Sequence, residues 1–182
     1  SSAASDVYKR QDHILFIVAL AAIYLIGNWK QVLVLVTAFT IGHSLTLALS
    51  VFDIIHVNDE WVEFLIPCTI IATAVFNFFV KDFSPRSLRL NYFLALFFGL
   101  IHGMGFANSI RFMLAKDQQL WLPLLSFNLG LEVGQIALVS IILCAGYLLV
   151  TKIKLKRSWW VIGLSGFCLL IAVQMAVERF PF

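Results

Sequence analysis

Charge is scarce in this chain. Only 13% of its 182 residues are Asp, Glu, Lys or Arg, about half the share of roughly 25% found in soluble domains. With 61% of residues hydrophobic, too little polar surface exists to clothe a water-soluble globule. Cysteine is equally sparing: Cys68, Cys144 and Cys168 show no CxxC spacing, and each lies in an apolar run. They read as small packing residues, which excludes a disulfide framework and a thiolate metal site. The net charge of +3 is small and scattered, which excludes a nucleic-acid surface. No HExxH, GxSxG or nucleotide-binding motif occurs. No Gly/Pro/Ser-rich linker divides the chain, so one domain is expected.

What is present is oil. Mean hydropathy is +0.93, carried by six apolar runs at about 12–27, 31–51, 61–80, 88–114, 121–150 and 159–177. A span needs about 20 apolar residues to cross the ~30 Å hydrocarbon core; the last five runs reach or nearly reach that length, and the first is marginal. Backbone in lipid must satisfy its own hydrogen bonds, so these spans are helices. The expected fold is all-α: a polytopic membrane protein with six transmembrane helices in a single bundle.

Residues 1–11, SSAASDVYKRQ, resemble the in-frame translation of a sequencing-library adapter. They are set aside as a non-native scar and expected to be disordered, with the membrane domain covering 12–182 and its natural upstream residues missing. Lys30; Lys81, Arg86 and Arg89; and Lys152, Lys154, Lys156 and Arg157 follow spans one, three and five, against Arg111, Lys116 and Arg179 on the other side. That bias puts both termini outside the cytoplasm. Trp29, Trp61, Trp121, Trp159 and Trp160 fall at span ends, where interfacial anchors belong.

Polar residues inside spans carry the functional signal, because a charged group at the bilayer centre costs at least ~2.5–3.5 kcal/mol. In the second span Thr40, His43, Thr46 and Ser50 share one helical arc, with His43 near the middle. In the fourth, Gly99 and Gly103 form a small-xxx-small face beside His102. In the fifth, Asn128, Glu132 and Gln135 lie on one side and Gly130 and Gly134 on the other. This spacing presents a carboxylate and two amides inward while the glycines pack against a neighbour. Asp12, His13, Glu63 and Glu178 stand nearer the outer ends, with Gln174 one turn deeper than Glu178; Thr73 and Asn77 lie further down the third span. No Lys or Arg lies mid-span to neutralise Glu132, so either it carries its proton or a cation offsets it. Each group also has a plainer reading: a lone His or protonated Glu bonding a neighbouring helix, a helix cap at Asp12–His13, solvated Glu63 and Glu178, and phenylalanine as packing bulk. The conjunction of two His and one Glu on three helices favours a borderline divalent metal such as Ni, Co, Zn or Mn.

Four stretches resemble the HupE/UreJ family of membrane proteins associated with hydrogenase and urease maturation: Asp12-His-Ile-Leu-Phe, Phe39-Thr-Ile-Gly-His-Ser-Leu-Thr-Leu, Gly99-Leu-Ile-His-Gly-Met-Gly-Phe-Ala and Phe127-Asn-Leu-Gly-Leu-Glu-Val-Gly-Gln. The resemblance implies a six-helix inner-membrane protein with a role in nickel or cobalt permeation. It implies a metal set of Asp12, His13, His43, His102 and Glu132, supported by the polar side chains of Thr40, Thr46, Asn128, Gln135, Glu63 and Glu178. The family pattern has a further His before the Asp-His pair. Here the adapter-like segment occupies that region, and Asp6 is not credited as a substitute ligand.

Three functions fit these residues. A permease would gather cations at Asp12, Glu63 and Glu178 and hold one between His43, His102 and Glu132. An intramembrane hydrolase would hold zinc with an open water position, with Ser44 as an accessory, although neighbours in sequence do not face each other on a helix. A metal-sensing accessory protein would do neither. The permease ranks first. Expected partners are the bilayer and the metal ion, with a homo-oligomer or metalloenzyme-maturation partners left open.

Overall fold

The structure is a computed structural model. It describes the backbone of residues 2–79, 85–114 and 121–181, and the side-chain surroundings of residues 11–79, 89–106 and 121–181. Six helices follow one another: α1 (Ser2–Ala21), α2 (Trp29–Val51), α3 (Asp59–Phe79), α4 (Pro85–Leu114), α5 (Trp121–Gly146) and α6 (Arg157–Glu178). A 3-10 turn over Ile26–Asn28 leads into α2, and a π-helical turn over Tyr147–Lys152 prolongs α5. The fold is all-helical, with no strand among the described residues. Again among those residues, four segments are long and apolar enough to cross a bilayer: Ile26–Val51, Asp59–Phe79, Trp121–Lys152 and Arg157–Glu178. The apolar part of α1, Gln11–Ala21, is shorter.

Residues 2–11, expected to be disordered, carry helical backbone as the first turns of α1. Once the turns beyond Gln11 are helical, each added residue gains a hydrogen bond without a new nucleus. Of the residues used for orientation, Lys81 and Lys116 lie outside the described residues, as do the side chains of Arg86 and Arg111. Lys30, Arg89, Lys152, Lys154 and Lys156 are exposed. The Arg157 guanidinium donates to the Ile23 carbonyl at 2.7 Å, and Asn91 donates to the Tyr24 hydroxyl at 3.1 Å. The end of α1 therefore sits with the starts of α4 and α6, at the basic end of the bundle.

Burial is uneven. Helix α1 runs through the interior, with Leu15, Phe16, Ile17, Ala19 and Leu20 all buried, so its apolar residues form no single face. Helices α2 and α4 make the closest pair, and α3 lies along α6. Glycine explains the first contact. A methyl group added at Gly42 would run into the Leu96 carbonyl, one at Gly99 into the Phe39 carbonyl, and one at Gly103 into the His43 carbonyl and the Thr46 hydroxyl. The Thr46 hydroxyl then donates across the contact to the Leu100 carbonyl at 2.7 Å. Gly130 and Gly134 differ: they are exposed, and a methyl group there meets nothing within 4 Å. The small face of α5, expected to pack on a neighbour, is open in this chain.

Helix α2 ends in a 6→1, 5→2 pair of hydrogen bonds, Ile54 N–H to the Leu49 carbonyl at 2.9 Å and Asp53 N–H to the Ser50 carbonyl at 3.1 Å. Asp53 takes the left-handed conformation this cap requires, φ 64°. Pro67 lies inside α3 and cannot donate the backbone bond of its turn. Cys68 is half-buried, Cys144 exposed and Cys168 buried, and all three are free thiols.

Candidate functional site

Three histidines from three helices meet inside the bundle. His13 comes from α1, His43 from α2 and His102 from α4, and all three are buried. The His13 ring lies 4.9 Å from that of His43 and 5.0 Å from that of His102, centroid to centroid, edge to face in both cases. Helix α1 delivers His13 because it threads the interior. Helices α2 and α4 deliver His43 and His102 because the glycines let their backbones touch. Phenylalanine walls the cluster: Phe106 and Phe39 stand 5.0 and 5.2 Å from His13, Phe16 5.0 Å from His102, and Phe127 6.4 Å from His43.

Most of the nitrogens of His43 and His102 are unspoken for. Neither nitrogen of His43 nor Nδ1 of His102 has a well-formed hydrogen bond. Leaving such a group buried and unmatched costs on the order of 1–3 kcal/mol. Nε2 of His102 is engaged, 3.0 Å from the Thr69 hydroxyl, which itself lies 2.7 Å from the Ile66 carbonyl. A partner on the second nitrogen fixes which way an imidazole points and which lone pair it can offer. Thr69 is a site residue that sequence reasoning missed, although it stands four residues before Thr73 and eight before Asn77 on one stripe of α3.

A polar seam between α2 and α5 leads away from His43. Asn128 faces that ring, with its Nδ2 given to the Leu124 carbonyl at 3.0 Å and its Oδ1 buried and unmatched. The Thr40 hydroxyl is 2.9 Å from Gln135 Oε1, and Gln135 Nε2 is buried without a partner. At the far edge the Thr37 hydroxyl donates to the Glu132 carboxylate at 3.3 Å, on the exposed side of the bundle. The two amides thus point inward as expected, while Glu132 sits at the flank of the seam and does not join the imidazoles. Asp12 also stands apart: the Arg179 guanidinium holds both its oxygens, at 2.7 and 3.2 Å. Glu178 accepts from Gln174 at 2.8 Å at the exposed end of α6. Glu63 is half-buried near the start of α3. Thr46 is used in the α2–α4 contact.

Among the described residues, no three His, Cys, Asp or Glu side chains already form a coordination shell. The three rings pack on one another as aromatics, so a guest would have to turn them. The donor set is nonetheless of the right chemistry, because imidazole nitrogens suit Ni, Co and Zn. The unmatched nitrogens of His43 and His102 are what a cation would satisfy.

An all-helical chain with four span-length apolar helices among its described residues, its interior closed on buried histidines from α1, α2 and α4, defines an integral membrane protein with a polar site in its interior. The chain belongs to the HupE/UreJ family: the family model described as HupE / UreJ protein matches residues 2–179. No curated protein and no solved structure matches the chain.

Proposed function

We propose that this protein is a permease for a divalent transition-metal cation, nickel or cobalt before zinc or manganese. In this reading all six helices cross the inner membrane, with the basic end in the cytoplasm and both termini outside. The observation that carries it is the meeting of His13, His43 and His102 in an apolar, phenylalanine-walled interior, with both nitrogens of His43 and Nδ1 of His102 unmatched. A transport site must replace part of an ion's water shell and then let the ion go. Two or three neutral imidazoles do that better than a full set of carboxylates, which would hold a dication too firmly. Glu132 then compensates charge through the Asn128–Gln135 seam without bonding the ion directly. Asp12, clamped by Arg179, holds α1 so that His13 stays in the cluster. The family's association with hydrogenase and urease maturation supports nickel as the cargo.

Uptake of cobalt or nickel into proteoliposomes tests the reading. His43→Ala and His102→Ala are each expected to cut uptake by about tenfold or more, while the chain remains helical and monodisperse in detergent. Wild-type uptake in both variants overturns it.

A further inference from the structure

A cavity of about 210 Å³ opens between α1, α3 and α4 on the basic side of the histidines. Its wall is mostly apolar, with four polar side chains: Tyr24, Thr73, Asn77 and Asn91. A continuous row leads into it from the cluster. His102 Nε2 meets the Thr69 hydroxyl at 3.0 Å, the Thr73 hydroxyl donates to the Thr69 carbonyl at 2.8 Å, and Thr73 and Asn77 face the cavity. Asn77 is fixed by two donated bonds, to the Ala19 carbonyl at 2.7 Å and to Ser165 Oγ at 3.0 Å.

Asn91 is the telling group. It is 6% exposed and its Nδ2 is given to Tyr24, yet its Oδ1 has no partner. A buried acceptor beside an empty volume asks for a donor, and water supplies one where space allows. At about 30 Å³ per molecule, this cavity has room for several waters. None of its lining residues is a carboxylate, thiol or imidazole. Neutral oxygens of this kind hold a hydrated dication weakly, because its charge is already met by its own water shell. A second cavity of about 390 Å³ shares Ile23 and Asn77 with the first and reaches Arg157 and Ser158 at the basic end. The guanidinium there opposes a dication that lingers.

Resting on the permease reading, we propose that the cavity lined by Thr73, Asn77 and Asn91 is a hydrated release vestibule, through which the cation leaves the histidines toward the basic end. The ion regains its water in the vestibule, where Asn91 Oδ1 and the α3 hydroxyls accept hydrogen bonds from that water. Thr69 is the step between the two stations, since its hydroxyl touches His102 and its carbonyl binds Thr73.

The test uses the full chain with Cys68, Cys144 and Cys168 replaced by alanine, and single cysteines at Thr73 or Ala95 on the cavity wall. In vesicles, a small charged thiol reagent added at the basic end is expected to label both positions, and to leave a control cysteine at buried Ala74 untouched. In the otherwise native chain, Asn91→Leu is expected to slow cobalt uptake about tenfold while equilibrium cobalt binding in detergent stays at the wild-type level. Wild-type uptake with unlabelled Thr73→Cys and Ala95→Cys overturns the vestibule and leaves the permease standing. So does an unchanged uptake rate in Asn91→Leu. If the native chain carries no cobalt while the cysteines label, the permease reading falls and takes the release role with it.

Discussion

Arg179 closes two hydrogen bonds on the carboxylate of Asp12, 2.7 and 3.2 Å long, and Asp12 is 1% exposed. The pair joins the middle of α1, next in sequence to His13, to the residue just past α6. A carboxylate taken out of water needs compensation, and a two-pronged guanidinium matches it in shape as well as charge.

Removing Arg179 alone therefore takes a two-pronged guanidinium away from a buried carboxylate. Arg179→Ala is expected to destabilise the chain by about 3–5 kcal/mol, read as a lower unfolding midpoint in detergent. Asp12→Asn together with Arg179→Gln is expected to recover most of the loss, because no charge is then left uncompensated. A cycle in which the double variant is as unstable as the sum of the singles would falsify this account of the pair.

Glycine positions divide by what surrounds them. Gly99→Ala and Gly103→Ala drive a methyl group into backbone carbonyls of α2, an overpacking that costs about 1–3 kcal/mol or more. Gly130→Ala and Gly134→Ala meet open space and are expected to be neutral or slightly stabilising, since alanine favours a helix over glycine by roughly 1 kcal/mol. Thermal unfolding of the four variants side by side checks the contrast. Equal behaviour of the two groups would remove steric exclusion as the reason α2 and α4 lie so close.

Thr69 is expected to matter for the metal more than for the fold. Thr69→Val keeps the volume and deletes the oxygen that meets His102 Nε2. Such an outer-sphere loss weakens metal affinity by about 10–100-fold. Cobalt titration followed by visible absorption, with the unfolding midpoint measured in parallel, separates the two effects. A drop in stability with unchanged affinity would make Thr69 a structural residue only.

Glu132 is expected to act on transport and not on occupancy of the histidines. Glu132→Gln keeps the shape and an acceptor for Thr37, so cobalt stoichiometry and absorption spectrum at the cluster should match wild type while uptake falls. A changed ligand-field spectrum would put the carboxylate on the metal.

Several features were legible in the sequence for simple reasons. Spacing at about 100° per residue placed His43 with Thr40 and Thr46 on the buried arc of α2, and put Gly99 and Gly103 beside His102. The same arithmetic shows why Glu132 strays. It lies about 60° around the helix from Gln135, so a stripe centred on the two amides leaves the carboxylate on its edge. Beyond His13, helix α1 gave no such clue: residues 14–21 are apolar throughout, and a stretch without a polar face does not say what surrounds it. The Asp12–Arg179 pair spans almost the whole chain and leaves no periodic trace, and Arg179 counted only toward orientation. Phe16, Phe39, Phe106 and Phe127 read as packing bulk, which they are, although the bulk they pack is imidazole.

The bare backbone contact of α2 with α4 also decides which parts can move. Two helices locked carbonyl against α-carbon, with a hydroxyl stitched across the join, have no slack for sliding and behave as one plank. In the permease reading, any alternation of access to the histidines then falls to the helices around that plank. Helix α3 carries Pro67, where one backbone hydrogen bond of the helix is missing.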